Sequence, residues 1–175
     1  MAASIALLRG INVGGSRKIR MAELRELFIE AGCKRVTTYI QSGNVVFTHP
    51  TRSPEKLRVD LERRIEEATG FDVPVILRSG REWAAIVRNN PFVGVEPTKL
   101  LVAFLGSDPP AGALDAIDPD AFAPVEFVLR GREVYLHLPA GMARAKLPQA
   151  LGVLQAPATS RNWRTVMKLL ELAAE

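Results

Sequence analysis

The residues best suited to bind a ligand lie near the start of the chain, in the stretch Gly10-Ile-Asn-Val-Gly-Gly15. The basic stretch Ser16-Arg-Lys-Ile-Arg20 follows directly. Glycines let main-chain N–H groups approach a ligand, and successive N–H groups before a helix can form an anion-binding concavity. The stretch matches neither the Walker A pattern nor the dinucleotide-binding fingerprint. It therefore indicates an anion-binding loop outside these classes, or a glycine-rich connector with a solvated basic edge.

The elements that hold this stretch follow the order of a ferredoxin-like fold. Short apolar runs predict strands, and apolar residues at helical spacing predict the helices between them. Ser53-Pro54-Glu55 is a typical helix start, and glycines are placed to end both helices. In chain order, we expect a strand at Ser4–Arg9, a helix ending near Ala31, strands at Lys34–Ile40 and Val45–Thr48, a helix from Pro54 to Gly70 and a strand at Asp72–Arg78.

This order brings two polar segments to the same end of the first sheet. The first strand runs up, its helix returns, and the second strand runs up again. The loop after strand one and the turn after strand two therefore emerge together. Right-handed crossovers also place the third strand beside the first. We expect Gly10–Arg20 and the turn Gln41–Asn44 to be neighbours, although they lie far apart in the sequence.

The two segments predict a binding site for a small anionic or phosphate-bearing ligand. Loop amides would hold the ligand's oxygens, Arg9 would counter its charge, and polar side chains would fix its orientation. Arg17, Lys18 and Arg20 could add further positive charge. The ligand-binding residues predicted at this end are Arg9, Gly10, Asn12, Gly14, Gly15, Gln41, Ser42 and Asn44.

The second half of the chain is predicted to be an incomplete copy of the first. A capping box at Ser79 begins a helix, a strand spans Leu100–Leu105, Asp108 begins a short helix, and two alternating strands flank the turn at Gly131. We expect an α+β fold of two ferredoxin-like βαββα(β) subdomains with antiparallel sheets. The predicted boundaries are residues 1–78 for the first subdomain, 79–98 for a bridging helix and linker, and 99–175 for the second subdomain with a C-terminal helix.

A second group of candidate residues lies near the end of the chain. Thr159-Ser160 is expected to cap the closing helix, which places Arg161 and Asn162 in its first turn. A cation there opposes the helix dipole unless an anion compensates it, which hints at binding. Lys146 could join the same surface. We therefore add Lys146, Arg161 and Asn162 to the predicted ligand-binding residues, which would complete the first site if the halves pack end to end.

Composition excludes several classes of protein. The chain has 175 residues, of which 47% are hydrophobic and 24% charged, as in ordinary globular proteins. One cysteine, Cys33, allows no internal disulfide and suits a reducing compartment. No apolar run is long enough for a membrane span. These features predict a cytoplasmic protein without a membrane partner. His49 and His137 show no metal-site spacing, so no metal or cofactor is predicted.

Two other functions stay open. Residues 1–90 hold 15 Lys and Arg against 10 Asp and Glu, which could favour nucleic acid. RNA-binding sheets of this fold stack bases on aromatic residues of two central strands. Here the first strand has none and the third offers only Phe47. The alternatives are a nucleic-acid-binding module and a structural or partner-binding protein without a ligand. The sequence leaves open whether the protein is an enzyme and what its oligomeric state is.

Three segments resemble a known bacterial family, the domain of unknown function 1697. They are Ile5-Ala-Leu-Leu-Arg-Gly-Ile-Asn-Val-Gly-Gly15, Thr38-Tyr-Ile-Gln-Ser-Gly-Asn-Val-Val-Phe47 and Thr159-Ser-Arg-Asn-Trp163. The resemblance implies an α+β fold of two ferredoxin-like subdomains, and no established activity. The chain departs from the family around Ala143–Gly152. The family tends to carry a small residue or serine before Lys-Leu and a longer helix, whereas here Ala145 stands before Lys146-Leu147 and the stretch is shorter. The family's characteristic segments map onto Arg9, Gly10, Asn12, Gly14, Gly15, Tyr39, Gln41, Ser42, Gly43, Asn44, Lys146, Arg161, Asn162 and Trp163.

Overall fold

A computed structural model describes residues 2–141 and 151–175, which form two four-stranded antiparallel sheets with interleaved helices. The chain divides into two compact units, Met1–Ala84 with Leu169–Glu175 and Ala85–Lys168. Each unit contains one of the two sheets. The predicted α+β fold with two ferredoxin-like subdomains is confirmed.

The first unit has the predicted order of elements. Its sheet runs β2-β3-β1-β4, so the third strand lies beside the first, as predicted. The elements are β1 (Ala3–Leu8), α1 (Met21–Glu30), β2 (Lys34–Tyr39), β3 (Asn44–Thr48), α2 (Pro54–Thr69) and β4 (Val75–Ser79).

Local signals set the ends of α2. The Ser53 hydroxyl accepts a hydrogen bond from the Lys56 N–H, and Pro54 occupies the first turn, where its missing N–H costs nothing. Gly70 ends the helix at φ +78°, the left-handed conformation that glycine adopts without strain. Between these ends, one stripe of the helix, Leu57, Leu61 and Ile65, is buried against the sheet.

Both faces of the first sheet are buried. The face toward α1 and α2 carries Leu8 and Phe47 in the core cluster. On the opposite face, Ile5, Leu7 and Ile76 are each at most 2% exposed. The sheet therefore presents no open face to solvent along its central strands.

The second unit repeats the strand order as β6-β7-β5-β8. A capping box at Ser79 begins α3, as predicted: its hydroxyl accepts from the Glu82 N–H, and Glu82 accepts from the Ser79 N–H. The further elements of the chain are α3 (Gly80–Arg88), β5 (Leu100–Leu105), β6 (Glu126–Arg130), β7 (Glu133–His137), β8 (Ala158–Asn162) and α4 (Trp163–Ala174). The start of α3 and the end of α4 belong to the first unit.

The expected cap at Thr159-Ser160 is wrong. These residues belong to β8, which pairs with β5 and completes the second sheet. The Asn162 side chain begins α4 instead, because its Oδ1 accepts from the Thr165 N–H at 2.9 Å. The segment has few apolar residues, so its strand character comes from pairing with the buried β5 and leaves little trace in its own sequence.

The expected short helix from Asp108 is also wrong. Successive turns follow instead, and one 3-10 turn spans Pro119–Phe122. Pro109, Pro110 and Gly112 oppose a regular helix, because prolines lack the N–H donor and Gly112 stands at φ +68°. The second copy is therefore complete in its sheet, but the connection between β5 and β6 holds no α-helix. In the described ranges, no helix is both long and apolar enough to cross a membrane.

Candidate functional site

The glycine-rich stretch forms a small hairpin. The Asn12 N–H donates to the Arg17 carbonyl at 3.1 Å, and the Ser16 N–H donates to the Val13 carbonyl at 3.4 Å. Gly14 and Gly15 make the turn at φ +62° and +78°, a pair of positive values typical of two-residue hairpin turns. We call residues 12–17 the glycine hairpin. It does not lead straight into a helix N-terminus, as the sequence suggested, because α1 begins only at Met21.

Asn12 ties the glycine hairpin to the turn between β2 and β3. Its Nδ2 donates to the Gln41 carbonyl at 2.8 Å and to the Ile19 carbonyl at 3.0 Å. Its Oδ1 accepts from the Ile19 N–H at 2.9 Å. The predicted proximity of the two segments is confirmed. Because these three bonds occupy the amide, Asn12 positions the site.

The β2–β3 turn, residues 40–43, is fixed in a similar way. Asn44 is fully buried, and its Nδ2 donates to the Tyr39 carbonyl at 2.9 Å and the Ser42 hydroxyl at 3.0 Å. The Leu8 N–H donates to the Gly43 carbonyl at 2.8 Å. A Cβ on Gly43 would lie 2.7 Å from the Leu8 Cβ, so only glycine fits there. Asn44 therefore shapes the turn from within.

Arg17 is committed to the base of the glycine hairpin. Its Nη2 donates to the Asp72 carbonyl at 2.7 Å, and its guanidinium lies 5.5 Å from the centre of the Phe71 ring. Charged hydrogen bonds and cation–π contacts are strong interactions for surface groups. Arg17 thus anchors the hairpin to the chain before β4.

A cleft of about 350 Å³ lies where the glycine hairpin meets the β2–β3 turn. Three of the predicted residues, Asn12, Gly15 and Gln41, contribute to its wall. Arg9, Gly10, Gly14, Ser42 and Asn44 do not line it. The residues that line the cleft are Asn12, Gly15, Lys18, Ile19, Arg20, Glu23 and Gln41.

The charges of the cleft come from three side chains. Arg20 and Glu23 form an ion pair at 2.7 Å. Hydrogen bonds from the Arg20 side chain and backbone lower the pKa of Glu23, and the same carboxylate raises the pKa of Arg20. Lys18 is exposed and has no partner among the described residues. The cleft therefore carries one cation beyond the internal pair.

Main-chain donors adjoin Lys18. In the described part of the chain, no group accepts from the Gly14 or Gly15 N–H. The α1 N-terminus is less open, since Glu23 accepts from the Arg20 N–H at 3.3 Å. The arrangement can hold one anionic group, through an ammonium and backbone amides.

Backbone strain is concentrated at this end of the sheet. Of five non-glycine residues at positive φ in residues 2–141 and 151–175, three lie here: Asn12 at +54°, Arg17 at +50° and Ile40 at +49°. Ile40 is the β-branched residue among them, and positive φ costs such a residue about 1–3 kcal/mol. Strain of this kind is common at ligand sites and must be held by surrounding contacts.

The second group of predicted residues is not an exposed cluster. Arg161 lies on β8 and is 7% exposed, with Nη1 donating to the Thr159 hydroxyl and the Ser160 carbonyl, both at 2.8 Å. Burial lowers its pKa to about 10. The dipole argument is wrong, because Arg161 precedes the capping residue Asn162. Both belong to the second unit, and Lys146 lies outside the described residues.

Metal-binding and nucleophilic groups are sparse. Burial, with a smaller contribution from Asp60, raises the pKa of the Cys33 thiol to about 12. His49 bonds with the Ala31 carbonyl, and His137 lies 2.9 Å from Glu126 in the second unit. No group of three or more His, Cys, Asp or Glu side chains that could hold a metal ion occurs in the described ranges.

Comparison with known proteins supports the fold and a family. A family model described as "Protein of unknown function (DUF1697)" matches residues 1–135, so the chain belongs to that family. A solved structure of conserved bacterial protein SP0830 from Streptococcus pneumoniae is similar, with a TM-score of 0.82 and 22% identity. The similarity covers 100% of this chain and 99% of that one. No curated protein matches the chain.

Proposed function

We propose that the protein binds a small anionic or phosphate-bearing ligand in the cleft between the glycine hairpin and the β2–β3 turn. The carrying observation is the meeting, in one cleft, of the Lys18 ammonium and the Gly15 N–H, neither of which has a partner among the described residues. Both groups favour an anion. The strained backbone around them supports the proposal, because the glycine hairpin and the turn are held in conformations that the chain does not adopt by default.

The residues of the site divide into two roles. Lys18 supplies charge, Gly15 supplies a main-chain donor, and the exposed Gln41 side chain orients the ligand. Asn12 and Asn44 keep the hairpin and the turn in place. This division predicts that changes at Lys18 reduce the affinity for the ligand and leave the stability of the fold unchanged. Changes at Asn12 should reduce both the affinity and the stability.

The nucleic-acid alternative lacks a stacking surface in the first unit. Phe47 is 1% exposed, and its ring packs edge-on against Phe28 at 5.3 Å between centroids. Ile5 and Leu7 of β1 are buried. Bases therefore have no exposed aromatic on the two central strands of this sheet.

The partner-binding alternative has one observation in its favour. Val13 in the glycine hairpin is 67% exposed, and Ile40 in the turn is 51% exposed. Two exposed aliphatic residues beside a cleft also suit a ligand with an apolar part. A titration that finds no small anion, together with self-association lost in a Val13→Ser variant, would favour the partner.

A backbone-amide NMR titration tests the proposal. Inorganic phosphate, pyrophosphate and acetate are added to the ¹⁵N-labelled full chain, to Lys18→Gln and to Arg9→Gln. We expect saturable shifts at Gly14 and Gly15 that weaken severalfold in Lys18→Gln. Arg9→Gln is the matched control, because Arg9 is an exposed cation outside the lining. Equal loss in both variants would support the predicted role of Arg9, and no saturable shift with any anion would reject the proposal.

A further inference from the structure

A longer groove adjoins the proposed cleft. It has a volume of about 640 Å³ and runs beside α1 and the end of α2. Lys18, Ile19 and Glu23 line both the cleft and the groove, so a ligand seated at Gly15 can extend along α1. The other residues that line the groove are Ala22, Arg25, Glu26, Leu27, Glu30, Ala68 and Thr69.

The charge of the groove changes along its length. Lys18 lies at the end shared with the cleft, together with the Arg20-paired Glu23, whereas Glu26 and Glu30 line the groove farther along α1. Arg25 partly offsets this row, since its Nη1 lies 3.4 Å from Glu26 while its Nε donates to the Val36 carbonyl. Glu30 has no partner in the described ranges. The groove is therefore positive at the cleft and negative beyond it.

We infer that the ligand carries one negative charge, at one end only, and that its uncharged body lies in the groove along α1. The inference rests on the proposed function and narrows it. The cleft offers one cation beyond the Arg20–Glu23 pair, which matches a carboxylate or another monoanion. A phosphate monoester carries about −1.5 to −2 charges at neutral pH, and Glu23 opposes the second charge.

The body of the ligand is constrained by the same groove. Ala22, Leu27 and Ala68 offer small apolar contacts, which suit an aliphatic chain. A second anionic group at the far end would face Glu26 and Glu30. The structure therefore favours a monocarboxylate over a dicarboxylate of equal length.

Three probes separate these cases by isothermal titration, with the Gly15 amide shift as the site reporter. Hexanoate has one carboxylate and an aliphatic chain. Adipate has the same number of carbons and a second carboxylate at the far end. Inorganic phosphate carries more than one negative charge at neutral pH and has no aliphatic chain. We expect hexanoate to bind about two- to fivefold more tightly than adipate, the range for one exposed charge interaction. Equal or tighter binding of adipate would overturn the inference.

Charge variants test whether the acidic residues of the cleft and groove cause the expected differences in affinity. Glu23→Gln keeps an acceptor for the Arg20 N–H, because a glutamine side-chain oxygen can make the same bond, and removes the negative charge of the cleft. We expect the ratio of phosphate to hexanoate affinity to rise about two- to fivefold. The double variant Glu26→Gln, Glu30→Gln should bring the affinity for adipate close to the affinity for hexanoate. Asp120→Asn, an exposed acid of the second unit, is the matched control and should change neither ratio.

The outcomes distinguish this inference from the proposed function. If phosphate binds at Gly15 more tightly than hexanoate and Glu23→Gln leaves the ratio unchanged, the cleft binds anions but the single-charge inference is wrong. If none of the three probes moves the Gly15 amide, the proposed function fails with it. If hexanoate shifts only residues outside the cleft and groove, the assignment of the body to α1 is wrong.

Discussion

The two units build the same sheet end in different ways. In the first, the Leu8 N–H donates to the Gly43 carbonyl at 2.8 Å and the Arg9 N–H donates to the Pro74 carbonyl at 3.0 Å. In the second, the equivalent pairs are Leu105 N–H to the Arg132 carbonyl and Gly106 N–H to the Pro157 carbonyl, both at 2.8 Å. The backbone frame at this end of the two sheets is thus conserved between the units.

The repetition extends to side chains. Arg78 on β4 stands opposite Ile5, and Arg161 on β8 stands opposite Val102, at matching positions of the two sheets. Both arginines are buried, at 3% and 7% exposed. The residue after each caps a helix, through Ser79 in α3 and Asn162 in α4. These matches are clear only in the register of the strands.

The two units differ in the loops and turns that connect the strands at this end of the sheet. The first unit has the glycine hairpin, a turn that includes the strained Ile40, and the Asn12–Gln41 tie. The second joins β6 to β7 by Gly131-Arg132, and Arg132 lies 3.8 Å from Asp108 in a loose ion pair. The second sheet forms without the added structure, so folding alone does not require it. This difference agrees with the ligand binding proposed for the first unit.

The largest expected effect comes from adding a side chain at Gly43, in the β2–β3 turn beside the glycine hairpin. Gly43→Ala places a Cβ 2.7 Å from Leu8 and 2.8 Å from Ile11, at φ +80°. We expect the free energy of unfolding to fall by about 2–4 kcal/mol. Gly131→Ala, at φ +62° with only the Glu133 carboxylate nearby, should cost about 1–2 kcal/mol. Urea denaturation measures both, and equal losses would contradict the comparison.

The two ties should also differ in strength. Asn12→Ala removes one hydrogen bond to the β2–β3 turn and two to Ile19, and should lower the free energy of unfolding by about 1–3 kcal/mol. Asp108→Ala removes one long, exposed ion pair and should cost less than about 1 kcal/mol. Thermal unfolding of the two variants gives the order. A larger loss from Asp108→Ala would show that the Asn12 tie is not the stronger one.

Relief of strain should stabilise the first unit slightly. Asn tolerates positive φ better than a β-branched residue, so Ile40→Asn should raise the free energy of unfolding by up to about 1 kcal/mol. Ile29→Asn, at an exposed site in regular helix, serves as the control and should lower it by a few tenths. If Ile40→Asn destabilises the protein more than the control does, the Ile40 side chain has a stabilising contact that outweighs its strain.

The smallest expected effect is a pH dependence at α1. Because hydrogen bonds from Arg20 hold the pKa of Glu23 below its ordinary value, Glu23 stabilises the fold above about pH 4.3, its unfolded value. This contribution is lost as the pH falls through the lower folded pKa. Glu23→Gln should therefore flatten the acid limb of the stability curve. An unchanged limb would show that the exposed Arg20–Glu23 pair contributes nothing measurable.

The sequence predicted the first unit well because its signals are local. Apolar strands, the Ser53 cap and the Gly70 terminus are independent of distant contacts, and the up-down-up order of strand, helix and strand brought the two polar segments to one end of the sheet. Strand β8 was missed because Ala158–Asn162 becomes a strand only by pairing with β5. Its buried Arg161 consequently looked like an exposed helix-start cation.

The details of the cleft depended on side-chain geometry that the sequence does not encode in a pattern. Asn12 and Asn44 were expected to contact a ligand, but both amides are used inside the protein. Lys18 counted only as extra charge, although it lines the cleft. Glu23 was not considered, because its role follows from the position at which α1 begins. The order of the elements brought the two polar segments together, and side-chain geometry decided which residues line the cleft between them.

A crystal of the full chain soaked in 4-bromobenzoate tests the central claim most directly, because bromine scatters anomalously, the carboxylate is a monoanion and the aryl bromide does not alkylate the protein. We predict a bromine peak in the cleft, with the carboxylate accepting hydrogen bonds from the Gly15 N–H and the Lys18 ammonium. We also predict that the peak disappears in Lys18→Gln under the same soak. Peaks confined to other surfaces, or an equal peak in the variant, would contradict the claim that this elaborated end binds an anion.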